Sequence, residues 1–138
     1  MKKGKFFSAD ITNIAQTATY TTATPAIDVS RAKRCVLQGY ATGEDAGANG
    51  IVTFHIGAVV GSHDITSGHS TSDLTTVTVT MSGAGQVIGV PVLIDTDGMT
   101  ALECTSVVNG DAAKDALLVN LSYGLVGRGD IEILSQAD

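Results

Sequence analysis

The stretch Leu74-Thr75-Thr76-Val77-Thr78-Val79-Thr80-Met81 alternates with a period of two, placing Val77, Val79 and Met81 on one side and Thr76, Thr78 and Thr80 on the other. Successive side chains of a β-strand point to opposite faces, so this run predicts a strand with one buried and one solvated face. The same period recurs on both sides of it. Residues 51 to 60 set Val52, Phe54, Ile56, Ala58 and Val60 against Thr53, His55 and Gly57, and residues 117 to 125 set Leu117, Val119, Leu121, Tyr123 and Leu125 against Asn120 and Ser122. Residues 86 to 94 align Ile88, Val90, Val92 and Ile94; Pro91 lacks an N–H and predicts an edge strand or a bulge there. Runs at 34 to 41 and 99 to 108 complete six main strands, with shorter ones expected near 15 to 22, 26 to 29 and 130 to 134.

The segments between the runs punctuate them as turns. Ser82-Gly83-Ala84-Gly85 and Asp95-Thr96-Asp97-Gly98 predict two tight hairpins, whereas residues 43 to 50 and 61 to 73 predict longer polar loops. Only residues 110 to 116 suit a helical turn. With no ten-residue helix between strands, a parallel βαβ sheet is not expected, and strands with one apolar face must pack against a second sheet. The expected fold is all-β: an antiparallel β-sandwich of jelly-roll type. Composition agrees. The chain holds 17 Thr, 14 Val and 10 Ile, whose β-branched side chains suit a pleated surface, against three Glu, three Met and five Lys.

A chain of 138 residues fits one domain and buries a core without staples. The expected division is an extended basic N-terminal arm over residues 1 to 14 and a sandwich over 15 to 138. Charge is split in the same direction. Residues 1 to 34 carry Lys2, Lys3, Lys5, Arg31, Lys33 and Arg34 against Asp10 and Asp28, net +4, and the remainder is net −10. An acidic body is a poor nucleic-acid ligand. A basic arm on it points to an acidic protein partner or another copy, or to a solvated tail. Lys2, Lys3, Lys5, Phe6 and Phe7 are accordingly the candidate partner-binding residues, Phe6 and Phe7 being either docking anchors or the first strand of the domain. No apolar run reaches membrane-spanning length. The apolar stretch of a signal peptide does not follow Met1-Lys2-Lys3-Gly4-Lys5, so a mature, cytosolically made N-terminus is expected.

Candidate chemistry is sparse. Cys35 and Cys104 lie in apolar runs and read as buried reduced thiols, a cross-sheet disulfide being the alternative. His55, His63 and His69, with Asp64 and Asp73, offer imidazoles and carboxylates, but at a spacing that matches no zinc motif. Asp95-Thr96-Asp97-Gly98 lacks the later ligands of a calcium loop and reads as a turn. There is no Gly-x-Ser-x-Gly elbow, and Gly83-Ala84-Gly85 precedes a strand rather than a phosphate-binding helix. No catalytic residue, metal ligand or cofactor is assigned. With no Trp and only six Phe and Tyr, the chain is poor in the flat platforms on which single strands and sugars stack.

The Thr-rich lead-in Thr17-Ala18-Thr19-Tyr20-Thr21-Thr22-Ala23-Thr24-Pro25 runs into Ala26-Ile27-Asp28-Val29-Ser30, then into evenly spaced β runs and a short tail. In pattern and proportion, over roughly residues 15 to 126, this resembles the small β-sandwich virion proteins of tailed bacteriophages, particularly capsid decoration proteins. The resemblance implies a non-enzymatic protein, made in the host cytoplasm and carried on the capsid surface. It would stiffen the shell by bridging capsomers, often through an N-terminal arm and often as a trimer. Its partners would be the major capsid protein or other virion proteins, with no nucleic acid and no membrane. Two other classes remain open. A receptor- or glycan-binding module would carry a polar pocket near residues 43 to 50 and 61 to 73, and a metal-dependent enzyme would use His55, His63 and His69.

Overall fold

The computed structural model describes residues 2 to 21, 26 to 60 and 74 to 127. The β-branched runs form strands and the segments between them form turns and loops, so the described chain is all-β. In chain order the strands are β1 (Lys2–Lys5), β2 (Ile11–Ile14), β3 (Thr19–Thr21), β4 (Ile27–Asp28), β5 (Ala32–Gly43) and β6 (Ile51–Val59). They are followed by β7 (Thr75–Thr80), β8 (Gln86–Ile88), β9 (Val92–Asp95), β10 (Ala101–Asn109) and β11 (Ala116–Gly127). All pairings are antiparallel, and the strands form two sheets.

Three pairs of short strands each act as one. β1 and β2 share one edge of β11, β3 and β4 share one edge of β10, and β8 and β9 share one edge of β5. Counting each such set as one interrupted strand gives eight. The sheets then run 1-8-3-6 and 2-7-4-5, the strand order of a jelly roll. Of the sequential neighbours, β6 and β7 pair with each other, while β5 to β6, β7 to β8, β9 to β10 and β10 to β11 each cross from one sheet to the other.

Those crossings correct the hairpin expectation. Both predicted turns form, with Gly83 at φ 76° and Gly98 at φ 87°, conformations that glycine adopts without penalty. Yet each carries the chain between sheets instead of reversing it within one. Residues 110 to 116 also form no helical turn, because Asp111 takes up the amides of Ala113 and Lys114 in a bend.

The inner faces meet as the periodicity predicts. Leu37, Val52, Phe54, Ile56, Val77, Leu102, Val107, Val119 and Leu121 are fully buried between the sheets. Two runs change side. β6 ends at Val59, which leaves Val60 61% exposed. The 86 to 94 run breaks at Gly89-Val90-Pro91, and the inward-facing Val92 follows the inward-facing Val87 by an odd step of five positions, which reverses the alternation. Ile88 and Val90 therefore lie outside, at 63% and 79% exposure. Gly39 faces inward where the Phe54 ring of the opposite sheet needs room. A Cβ there would come within 2.7 Å of that ring and 2.9 Å of Val79. Gly39→Ala is expected to cost about 1–3 kcal/mol, read as a lowered midpoint in denaturant titration, because overpacking forces the neighbours off their rotamers.

The N-terminal segment departs furthest from expectation. Residues 2 to 14 are not an extended arm. Lys2–Lys5 pairs with β11 from Leu125 to Ser122, and Ile11–Ile14 continues along the same edge. Phe6 and Phe7 are 3% and 8% exposed and belong to the core. The cause is the two adjacent phenyl groups. Each loses a large apolar area to water if left outside, and the Phe6 amide hydrogen-bonds the Leu121 carbonyl at 2.7 Å, seating the segment.

Candidate functional site

The five N-terminal candidate residues divide by strand alternation. Lys3 and Lys5 project from the outer face of the first sheet, where Lys3 is level with Gly124 and Lys5 with Ser122. Lys2 lies on the other side of β1 and lines a cleft of about 260 Å³ with Asp28, Ser30, Arg31 and Leu125. Phe6 and Phe7 turn inward, their rings 6.3 Å apart, and Phe6 meets Tyr123 edge-on at 6.1 Å. The two aromatics are thus unavailable as anchors for a partner, while the lysines remain at the surface.

Between β1 and β2 the chain swings over Asn120, which is why this outward-facing residue is fully buried. Its amide donates to Asp10 Oδ1 at 2.7 Å, and the Tyr40 hydroxyl donates to the same oxygen at 2.8 Å. Lys5 Nζ stands 3.6 Å from that oxygen and 5.5 Å from the Tyr40 ring centroid. The Asn120 and Tyr40 hydrogen bonds hold the Asp10 carboxyl below its usual range. The Tyr40 hydroxyl, and then the nearby Asp10 charge, hold Lys5 in its ammonium form above its ordinary pKa. This cluster is an anchored ion pair, with no neutral amine and no protonated acid, so it fastens the looped segment to the sheet.

A second cluster closes the end of the sandwich where β5 runs into the 43 to 50 loop and β11 begins. Asp111 Oδ2 accepts the amides of Asn49 and Gly50, both at 2.9 Å, and Oδ1 accepts those of Ala113 and Lys114 at 2.9 and 3.0 Å. With Ala113 and Asn49 contributing most, these bonds pull the carboxyl down to about 2. Asn109, fully buried, donates to the carbonyls of Ile14 at 3.0 Å and Lys114 at 2.9 Å and accepts the Asp111 amide at 3.0 Å. Lys114 Nζ bonds Asp45 Oδ2 at 2.7 Å. The 43 to 50 loop, a candidate pocket on sequence, is filled: Ala48 is buried and its carbonyl accepts the Gly83 amide at 2.8 Å.

Cys35 on β5 and Cys104 on β10 are buried thiols, and burial pushes both up to about 12. Neither is expected to react with a disulfide reagent in the native state at pH 8, and both are expected to react after unfolding in denaturant. A thiol titration in the two conditions measures this. His55 lies on β6 with its neighbours Thr76 and Ser106 on the adjoining strands. His63 and His69, with Asp64 and Asp73, lie outside the described residues, as does the 61 to 73 loop. Among the described residues no three His, Cys, Asp or Glu side chains converge as a metal site, and no helix is long and apolar enough to cross a membrane. Asp95 Oδ1 accepts the Asp97 amide at 3.0 Å, the bond of a plain turn.

Sequence reasoning missed an exposed aliphatic strip. Ile88, Val90 and Leu93 are 63%, 79% and 63% exposed beside Val36 on β5, and the alternation had assigned Ile88 and Val90 to the core. The odd spacing across Gly89-Val90-Pro91 was the signal that could have revealed it.

No protein-family model matches the sequence, and no curated protein does. Among solved structures, a chain described under "Bacillus endospore appendages form a novel family of disulfide-linked pili" is similar over 91% of this chain and 87% of its own. The identity is 13% and the TM-score 0.38, a likeness that carries no argument about function.

Proposed function

We propose that this chain is a non-enzymatic structural protein of a larger protein particle, of the kind represented by phage capsid decoration proteins. It acts by covering the particle surface with a rigid jelly roll. The observation that carries this reading is how the polar side chains are used. Both oxygens of Asp111 are filled by backbone amides, Asn109 ties three segments together, and Asp10, Tyr40, Asn120 and Lys5 fasten the chain's own edge. Groups with the chemistry of a site are committed to holding the fold. Because Phe6 and Phe7 are in the core, attachment falls to the folded surface rather than to a reaching arm.

On this reading the partner is the shell protein, and the chain sits on the outside of the shell. Quantitative mass spectrometry of particles purified from producing cells tests it. The expected result is a fixed number of copies per shell that survives washing. Absence from the particles, or a trace removed by the wash, would overturn the reading. A receptor- or glycan-binding role is the second reading, supported by an open cleft of about 360 Å³ in which Tyr20 stands near Ser8, Asp10 and Thr12. A saturable signal on a glycan array that Tyr20→Ala abolishes would favour it.

A further inference from the structure

The outer face of the first sheet is a lattice whose rows follow from strand register. One row runs Lys3, Gly124, Val36, Leu93; the next runs Lys5, Ser122, Gln38; the next Asn120, Tyr40, Ile88; and Val126, Arg34, Asp95 close one end. The side along β8 and β9 is aliphatic, with Ile88, Val90 and Leu93 each more than 60% exposed and Val36 at 37%. Single exposed aliphatics are ordinary on a protein surface, but these lie on neighbouring positions of one edge. Aliphatic edge strands are a hazard, because unpaired backbone groups invite another strand. Here strand addition is obstructed. Pro91 has no N–H, and the Gly89 carbonyl and amide are already bonded to the Gln38 side chain at 2.7 Å and the Gly39 carbonyl at 2.9 Å. Whatever covers this strip packs on the face, through side chains.

Charge selects the occupant. The face carries Lys3, Lys5 and Arg34 against Asp10 and Asp95, three cations to two carboxylates, on a chain whose net charge is −6. Both signs flank the aliphatic strip: Arg34 opposite Asp95 at one end, and Lys5 beside Asp10 across the sheet on the β1 side. A rim of one sign would repel a second copy, whereas this one offers a second copy both signs. Four strand columns along the 12 residues of β5 offer on the order of 700 Å². A standard interface takes about 800 Å² per partner.

We propose that two copies of this chain associate through the outer face of the β1–β11–β5–β8/β9 sheet, burying Ile88, Val90, Leu93 and Val36 of each against the other in a two-fold dimer. The contact is independent of which particle the chain belongs to. Sedimentation velocity of the purified full-length chain, across protein concentrations, tests it. The expected result is a concentration-dependent rise from 14.1 kDa toward twice that mass. Leu93→Asp and Ile88→Asp should each weaken the association by at least about tenfold, by placing a charge in the desolvated centre. Thr78→Asp, on the outer face of the other sheet, should leave it unchanged. All three positions are solvent-facing, so unaltered thermal unfolding of the variants separates lost association from lost folding. A chain that stays monomeric throughout, a trimer, or an association indifferent to Leu93→Asp would each overturn the proposal.

Discussion

A chain lacking residues 1 to 7 is expected to lose its cooperative thermal transition or to melt far below the intact protein. The deletion removes the β1 ladder along β11 and leaves the space of Phe6 and Phe7 empty. Truncating one buried Phe typically costs about 3–5 kcal/mol, so losing two is of order 6–10 kcal/mol, set against a total stability of about 5–15 kcal/mol. Removing the strand also exposes the backbone edge of β11, which becomes a site for aggregation. Phe6→Ala alone should show about half the loss, since Phe7 and the ladder remain. Circular dichroism melts of the three chains make the comparison. Unchanged melting of the truncated chain would mean that these residues are an accessory arm after all.

Asp111→Asn is expected to lower the melting temperature by several degrees at neutral pH and to flatten the acid side of the stability curve. One carboxylate joins residues 49 and 50 to residues 113 and 114 through four backbone amides, and the amide NH₂ of Asn cannot accept any of them. The direction with pH follows from linkage. The folded pKa, about 2, lies below the ordinary 3.8, so the unfolded chain takes up a proton first as pH falls. The stabilisation is fully present above about pH 5 and disappears as pH falls through the ordinary carboxylate range toward 2. Asp10, Asp28 and Asp45 are shifted down as well, so the intact protein is acid-sensitive at several points. The diagnostic quantity is therefore the difference between wild type and variant, which should shrink as the pH is lowered. Gly50→Ala should act on the same latch by a different route, since its Cβ would collide with the Asp111 backbone.

Much of the fold was legible because strand alternation is local. Val77, Val79 and Met81, or Val119 and Leu121, report their burial through their immediate neighbours. Turn chemistry was legible for the same reason: Gly83 and Gly98 occupy the left-handed conformations that their sequences announce. Which sheet a turn leads to is a property of the whole topology, and two signals read as hairpins proved to be crossings between sheets. The N-terminal charges misled for a related reason. Lys2, Lys3 and Lys5 look like a solvated arm, but Gly4 faces the Tyr123 ring, Phe6 enters the core, and the pairing partner lies about 120 residues away.

The polar latches were less visible still. Asn109 and Asp111 look like ordinary loop residues until the topology brings residues 14 to 17, 49 and 50 to them. Asn120 reads as an outward strand position, and only the chain crossing above it makes it a buried donor. Such residues carry no period or motif, because their partners are set by tertiary structure alone.

The claim that this protein works by covering a shell is tested most directly by calorimetry of particles with and without the chain. Binding to the assembled state alone stabilises it by mass action. The particle transition should therefore rise when the chain is restored and level off once every site is filled. Saturating occupancy with no change in that transition would contradict the account.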